Sequence, residues 1–185
     1  MSGVRPATPD DLPRIGSVLA AAFADDPVWN HITSPRADWT TRAAAWFEAD
    51  ARAQMRGHGE VLVDEEVRGA AIWSPPGRWK GTASEAVAIA VPSARLFRAK
   101  LPRAVRLLTQ MERAHPTDPP HWYLAVLGTD PAHQGSGVGS ALIRAVIDRC
   151  DAQGLGTYLE SSKEQNLAFY ARHGFEVTAR IDPGG

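Results

Sequence analysis

The sequence predicts a single mixed α/β domain in which helices cover a central sheet. Residues 122–181 alternate between strand and helix patterns, which indicates a layered α/β architecture. Two runs rich in valine and isoleucine, residues 60–64 and 67–73, predict an antiparallel hairpin. Hydrophobic residues make up 44% and charged residues 22% of the 185, which is the composition of an ordinary globular domain.

The first half of the chain is predicted to be mainly helical around that hairpin. Residues 4–7 form a short predicted strand, and Thr8 follows as a helix N-cap with Pro9 at the first helical position. Apolar side chains recur at helical spacing as far as Phe23, and residues 25–27 mark the end of this helix. Further helices are predicted over residues 36–56, 82–91 and 94–113.

The second half continues with alternating elements after a proline-rich link at residues 116–120. Strands are predicted over residues 122–127, 157–161 and 175–181. Helices are predicted over residues 137–153 and 164–172.

The charge and cysteine counts argue against several classes of protein. Lysine and arginine number 20 and aspartate and glutamate 21, so a net charge of −1 gives no support to a nucleic-acid-binding or membrane-surface protein. The longest apolar run, residues 86–91, is far shorter than the ~20 residues of a membrane-spanning helix. No signal-peptide pattern is visible, and the single cysteine, Cys150, fits a cytoplasmic protein without an intramolecular disulfide.

The segment from Thr129 to Ser140 carries the main functional signal. Gly135, Gly137 and Gly139 alternate there, between a predicted strand and the start of a helix. Glycine permits close approach of the backbone to a ligand, and a helix N-terminus offers unpaired N–H groups to a phosphate. A P-loop fails because no lysine follows the glycines, and the dinucleotide pattern matches poorly because Ser140 stands at its third glycine. A glycine-rich turn with a purely structural role is the other alternative.

Two motifs of the second half occur together. Gln134, Gly137 and Gly139 form the pattern Gln-x-x-Gly-x-Gly, and residues 166–175 form the pattern N-x-x-F-Y-x-x-x-G-F. In these motifs the sequence resembles the GNAT superfamily of acyl-CoA-dependent N-acyltransferases. Within that superfamily it looks like the puromycin N-acetyltransferase branch. This second similarity covers residues 20–27, 71–73, 110–112 and 122–179.

The resemblance implies a GNAT fold over residues 1–185, with the acceptor-side half in residues 1–115 and the acetyl-CoA-binding half in residues 116–185. That fold has a central mixed, mostly antiparallel sheet, which is splayed between strands 4 and 5 and flanked by helices. Family members complete the sheet with a seventh strand, and we expect this final strand to be missing here. A truncated chain, a missing tail and a strand supplied by a partner are the alternatives.

The resemblance also implies acetyl-CoA as co-substrate and no metal. The pantetheine arm is expected to pair with strand 4 at Leu127, Gly128 and Thr129. The pyrophosphate is expected on the backbone of Gln134, Gly135, Ser136, Gly137, Val138, Gly139 and Ser140. Asn166 matches a position that hydrogen-bonds the cofactor. Phe169 matches one that packs near the pantetheine, with plain core packing as its alternative.

Tyr170 matches the family's general acid, which protonates the leaving CoA thiolate. A thiol has a pKa of ~8.5, so this leaving group needs only modest help. Glu160, at the end of strand 5, is a candidate general base acting through water, because an amine with a pKa of ~10.4 must lose a proton. Some relatives carry a glutamate on strand 4 at the position of Tyr123, which leaves the base open. Cys150 is expected in the core, and the transfer is expected to be direct.

Acceptor recognition in this fold usually involves the first helices. The candidates are Phe23, Asp26, Trp29, Trp46 and Trp73, with Asp26 placed to pair with a cationic amine. Core packing is the alternative for each tryptophan. The sequence therefore predicts an acetyl-CoA-dependent N-acetyltransferase for a small-molecule primary amine, as a monomer or homodimer with no nucleic-acid or membrane partner. A non-catalytic acyl-CoA sensor module and a protein or peptide N-acetyltransferase are the alternatives.

Overall fold

The computed structural model describes residues 3–34 and 37–181. Its central sheet has five strands: β1 (Val4–Pro6), β2 (Glu60–Asp64), β3 (Gly69–Ser74), β4 (His121–Thr129) and β5 (Gly156–Leu159). The strands lie side by side in chain order. The first four run antiparallel to their neighbours, whereas β5 runs parallel to β4. The prediction of a mixed, mostly antiparallel sheet is therefore confirmed.

Helices cover both faces of this sheet. They are α1 (Leu12–Ala22), α2 (Pro27–Ile32), α3 (Trp39–Arg56), α4 (Ala83–Phe97), α5 (Leu101–Ala114), α6 (Val138–Gln153) and α7 (Leu167–Ala171). Val61 and Val63 of β2 belong to a core cluster with residues of α1 to α5. Leu62 lies between them in sequence and belongs to a second cluster with α6. Alternate strand residues point to opposite faces, so α6 covers the face opposite to α1 and α3.

β4 and β5 separate after four paired positions. Their pairing runs from His121 opposite Gly156 to Leu124 opposite Leu159. β4 then continues to Thr129 with β3 on its other side. The register with β3 shifts at this same point, because Ile72 pairs with Val126 and Trp73 with Leu124. Such a bulge bends a strand. The predicted splay between strands 4 and 5 is confirmed, and it leaves one edge of β4 open.

Three predictions about individual elements are wrong. Residues 175–181 form no strand: they pair with none of the described strands, and Val177 remains 60% exposed. The helix α2 has no counterpart among the predicted elements. The long pair of helices divides at residues 98–100, where Arg98 has a positive φ of 50°, and Pro92 lies inside α4. Pro92 is tolerated because Ala88, whose carbonyl loses its helical hydrogen bond, is exposed and can be hydrated.

In the described part of the chain, no helix combines the length and apolar character needed to cross a membrane.

Candidate active site at the opening between β4 and β5

The glycine-rich loop lies at one end of the opening and has the backbone of an anion cradle. Gly135 and Gly137 have φ values of +77° and +90°, which other residues rarely adopt, and a Cβ at either position would meet nothing within 4 Å. Gly137 is the N-cap of α6, so the amides of the next residues are first-turn donors without intrahelical partners. The Gln134 side chain donates to the carbonyl of Thr129 over 3.4 Å and ties the loop to the end of β4. Open space, free donors and the positive end of the helix dipole all fit a pyrophosphate.

The end of β4, the start of α6 and α7 converge beside this loop. A Cβ on Gly139 would lie 3.4 Å from Phe169 Cζ and 3.5 Å from Thr129 Oγ1, so a larger residue would crowd both. Asn166 is the N-cap of α7, and its side chain makes no hydrogen bond to the described residues. The structure therefore brings together three groups of residues that the sequence assigned to the cofactor.

Gly128 has a packing role in addition to its place on the open edge. A Cβ there would lie 2.7 Å from Leu19 Cδ2 and 3.0 Å from Ala22 Cβ, both on α1. Glycine therefore permits the close approach of α1 to β4. Leu127, its neighbour, is half-buried against the α6 cluster.

Glu160 lies just after β5, where the two strands begin to separate. Its side chain is only 15% exposed, and burial raises the pKa of the carboxyl group. The phenols of Tyr123 and Tyr158 favour the charged form and oppose that rise. Glu160 Oε1 is buried without a hydrogen-bond partner in the described structure and lies 3.7 Å from His115 Nδ1. A buried carboxylate with a raised pKa and an unused oxygen suits a general base.

Two histidines that sequence reasoning missed adjoin Glu160. His115 and His121 are 6% and 9% exposed, and their Nε2 atoms lie 3.0 Å apart. Trp79 stacks on the His115 ring with the centroids 3.8 Å apart. The edges of Tyr123 and Tyr158 contact the same ring, at centroid distances of 4.8 and 4.7 Å. The one sequence signal is that the two histidines flank the proline-rich link, and their contact depends on how that link folds.

Asp50, a half-buried acid on α3, lies near these residues. Burial of the Asp50 carboxyl on α3, together with the charge of Glu85, raises the pKa of Asp50 to about 7. Burial and then the charge of Glu160 raise the pKa of Tyr123 well above its usual value of 10, and Asp50 adds to that rise.

Tyr170 lies on α7, and its phenol is protonated and has no hydrogen-bond partner among the described residues. Its ring packs between Phe169 and Phe175, with centroids 5.2 and 5.9 Å away. Burial raises the pKa of Tyr170 to about 12. Its hydroxyl makes no hydrogen bond to the described residues. These properties suit a group that donates a proton to a bound ligand.

Three of the predicted acceptor residues meet in one aromatic cluster. Phe23 and Trp29 have ring centroids 5.9 Å apart, and Trp29 and Trp46 have centroids 5.2 Å apart. All three are half-buried and pack against the core beneath α1 and α3. Each ring keeps some exposed surface, so the cluster is an apolar surface as well as part of the core.

The other two acceptor candidates are not available to a ligand, which corrects the prediction. Asp26 is 1% exposed, and its carboxylate accepts hydrogen bonds from the amides of Val28 and Trp29 and from the Ser162 hydroxyl. It is the N-cap of α2, so its lone pairs are already used. Trp73 is fully buried in the cluster beneath α6, on the opposite face of the sheet from the other aromatic residues.

Comparisons with known proteins agree with this arrangement. The model of the acetyltransferase (GNAT) family matches residues 22–175. An uncharacterized N-acetyltransferase of Schizosaccharomyces pombe is 27% identical over 177 residues, which are 89% of this chain and 70% of that protein. A crystal structure from Corynebacterium glutamicum, described as histone acetyltransferase HPA2 and related acetyltransferase, superposes with a TM-score of 0.71 at 28% identity, over 98% of this chain and 89% of that one.

A mosquito arylalkylamine N-acetyltransferase (like 5b) shares the fold, with a TM-score of 0.60 at 16% identity over 97% of this chain and 85% of that one. Within residues 3–34 and 37–181, no three histidine, cysteine, aspartate or glutamate side chains are grouped to hold a metal ion. The family match covers most of the chain, and the open strand edge and glycine-rich loop lie inside it. The chain therefore belongs to the GNAT family of acetyltransferases.

Proposed function

We propose that this protein transfers the acetyl group of acetyl-CoA directly to the primary amine of a small molecule. The observation that carries the proposal is the open edge of β4 beyond Leu124. This edge lies between two features. One is the glycine-rich loop at Gly135 and Gly137, where backbone amides are available as donors, and the other is the buried carboxylate of Glu160. Such an edge can pair with an amide-containing arm, while the loop holds its phosphates and the carboxylate faces the reacting end.

The residues on the open edge and loop fit acetyl-CoA, which supplies an activated acetyl group as a thioester when bound. Leu127 to Thr129 would pair with the pantetheine amides, and the amides from Gly135 to Ser140 would hold the pyrophosphate. The Asn166 side chain, which has no hydrogen bond within the described structure, is free to hold the arm near Phe169. Two or more convergent donors at a helix N-terminus favour an anion over a neutral ligand.

Glu160 and Tyr170 divide the proton transfers in this proposal. An ammonium group has a pKa of ~10.4 and must lose a proton before it attacks, so a base is required. Glu160 removes this proton, and its raised pKa makes it a stronger base than an exposed carboxylate. Tyr170 donates its phenolic proton to the departing sulfur, a role that its raised pKa of about 12 permits at every physiological pH.

The acceptor side supports an amine that carries apolar or aromatic groups. Phe23, Trp29 and Trp46 provide the apolar surface, and the Glu160 carboxylate favours a cation nearby. The sequence similarity to the puromycin N-acetyltransferase branch makes puromycin one reasonable member of an acceptor panel. Histone-tail peptides are another, because the similar Corynebacterium glutamicum structure is described as a histone acetyltransferase.

A thiol-release assay with acetyl-CoA tests the proposal against its alternatives. The panel contains arylalkylamines, aliphatic diamines, puromycin and lysine-containing peptides. We expect CoA release that depends on a small amine and disappears in Glu160→Gln. Binding of acetyl-CoA in calorimetry without turnover of any acceptor would instead identify a sensor module. Turnover of peptides alone would identify a protein or peptide acetyltransferase.

A further inference from the structure

His115 and His121 are held in direct contact although neither belongs to the predicted site. His115 follows the last turn of α5, where its amide donates to the carbonyl of Met111 over 2.9 Å. His121 is the first residue of β4. The link between them folds back, so that the two Nε2 atoms lie 3.0 Å apart in a buried environment. Each histidine is thus held in two ways: its backbone belongs to a fixed position in the fold, and its ring contacts the other ring.

The hydrogen-bond partners determine where the ring protons lie. A carbonyl oxygen only accepts, so His121 Nδ1 must carry the proton in its 2.8 Å contact with the carbonyl of Pro119. Neutral His121 then has a lone pair on Nε2. The 3.0 Å contact between the rings therefore requires that His115 Nε2–H is the donor. Neutral His115 is left with an unprotonated Nδ1.

That unprotonated nitrogen faces the candidate base. His115 Nδ1 lies 3.7 Å from Glu160 Oε1. This is longer than a hydrogen bond, and hydrogen bonds in ligand-free sites often tighten on binding. Two lone pairs face each other here unless a proton lies between them. Glu160 and His115 are therefore arranged to share a proton that arrives on Glu160.

We infer that His115 and His121 form a proton relay that carries away the proton Glu160 takes from the acceptor ammonium. The ammonium N–H bond breaks and the Glu160 O–H bond forms. Glu160 then passes its proton to His115 Nδ1, while His115 Nε2 releases its own proton to His121 Nε2. The amine is left neutral, Glu160 is again a carboxylate, and His121 carries the positive charge. Both histidines are positioning residues that act through Glu160, and the inference rests on the proposed function.

The charged and titratable groups around the rings are consistent with this direction of transfer. His115 faces Glu160, His121, Tyr123 and Tyr158, with Lys80 nearby. Burial, followed by the charges of His121 and Lys80, lowers the pKa of His115 to about 4. His115 therefore stays neutral and passes the proton on, rather than storing it. Asp50 also acts on Tyr123 and raises the pKa of that phenol.

The proton positions can be measured without any substrate. Long-range ¹H–¹⁵N spectra of the ¹⁵N-labelled protein report the tautomer of each histidine, and His115→Phe and His121→Asn assign the signals. At pH 7 we expect His121 to carry its proton on Nδ1 and His115 on Nε2. A neutral ring in the opposite tautomer at either position would overturn the relay. If His115→Phe does not fold, His121→Asn alone supplies the assignment.

The kinetic test uses His121→Asn, which can still donate to the carbonyl of Pro119 but cannot accept the relayed proton. We expect kcat to fall about tenfold at pH 7, less than the ~10²–10⁴ of a lost general base. The deficit should shrink toward pH 9, where free amine is more abundant, and the KM for acetyl-CoA should not change. His58→Asn, on an exposed turn, is the matched control. A loss that is independent of pH and appears in KM would show a structural role and overturn the relay.

The two proposals can fail separately. If the unsubstituted protein acetylates no amine, the proposed function fails, and the tautomers still show whether the relay geometry exists. If it acetylates amines and His121→Asn has an unchanged kcat and pH profile, only the relay fails.

Discussion

Asp26 and Ser162 are joined by a hydrogen bond, although 136 positions separate them in the sequence. Asp26 lies in the turn between α1 and α2, and Ser162 lies shortly after β5. The adjacent pair, Asp25 and Lys163, forms an ion pair between the same two segments. The acceptor-side turn and the segment that leads into α7 are therefore held together beside the opening.

Removal of this contact should lower stability more than loss of a surface carboxylate. Asp26→Ala removes the cap of α2 and the bond to Ser162, which together should cost about 1–2 kcal/mol of unfolding free energy. Urea unfolding measures this cost. A double-mutant cycle with Ser162→Ala should give a coupling of about 1 kcal/mol, the typical net contribution of an intramolecular hydrogen bond. Asp10→Ala, an exposed aspartate near the start of α1, is the control. Additive effects of the two substitutions would contradict a direct bond.

The role of Asp26 shows what a local pattern can and cannot predict. Its place before Pro27 is a helix-start signal, whereas the sequence interpretation places the end of α1 and a free carboxylate there. By contrast, the glycine-rich loop is predicted correctly as the N-terminus of a helix because Gly135 and Gly137 need positive φ values, a local property. The contact with Ser162 depends on long-range folding, and no spacing in the sequence encodes it.

Long-range packing also explains the other differences between prediction and structure. Residues 175–181 alternate in character as a strand would, yet a strand forms only by pairing with a neighbour, and these residues pair with none of the five described strands. The spacing of six positions between His115 and His121 does not predict a contact, because their contact depends on how the link between them folds. Trp73 has the residue type of an acceptor contact, but the strand alternation turns it toward α6.

Gly128→Ala should destabilise the fold through steric overlap. The added methyl group would lie 2.7 Å from Leu19 Cδ2 and 3.0 Å from Ala22 Cβ, and the second of these atoms cannot rotate away. We expect a loss of about 1–3 kcal/mol in unfolding free energy, typical of an overpacked core. Gly156→Ala is the control, because its nearest contact would be an ordinary 3.7 Å to His121 Cβ. Equal stabilities of the two variants would contradict the close packing of α1 on β4.

Gly137→Glu tests the glycine-rich loop as the phosphate site. The new side chain enters open space, so the loss should come from its negative charge opposite the pyrophosphate and from the φ of +90°. Calorimetry should show a decrease in acetyl-CoA affinity of about a hundredfold, equivalent to about 3 kcal/mol of like-charge repulsion. Gly154→Glu places the same charge at the other end of α6, at a φ of +65° and also in open space, and should leave the affinity unchanged. Unchanged binding to the Gly137 variant would rule out this loop.

Tyr170→Phe should separate chemistry from binding. The phenylalanine keeps the ring contacts with Phe169 and Phe175, so acetyl-CoA affinity and the thermal unfolding midpoint should change little. Turnover should fall about a hundredfold, the low end for a general acid because the thiolate is a fair leaving group. Tyr158→Phe, which alters a phenol near Glu160, should instead shift the acidic limb of the pH–rate profile. A near-normal rate for Tyr170→Phe would remove it as the acid.

Asp50 should make the protein less stable as the pH rises through neutrality. Burial and Glu85 raise its pKa from 3.8 to about 7 in the folded state, so between about pH 4 and 7 the folded protein holds a proton that the unfolded chain has released. Stability therefore falls as pH rises across that window, and the loss is complete above pH 7.

Asp50→Asn removes this dependence. Between pH 5 and 8 the unfolding free energy of the variant should fall less, or rise more, than that of the unsubstituted protein, as measured by urea unfolding at several pH values. The lowered pKa of His115 acts in the opposite direction, since its stabilising effect is lost as pH falls, and the comparison between variants cancels it. Asp148→Asn, on the exposed face of α6, should follow the unsubstituted protein at every pH. The same pH dependence in both variants would show that Asp50 is an ordinary, charged carboxylate in the folded state.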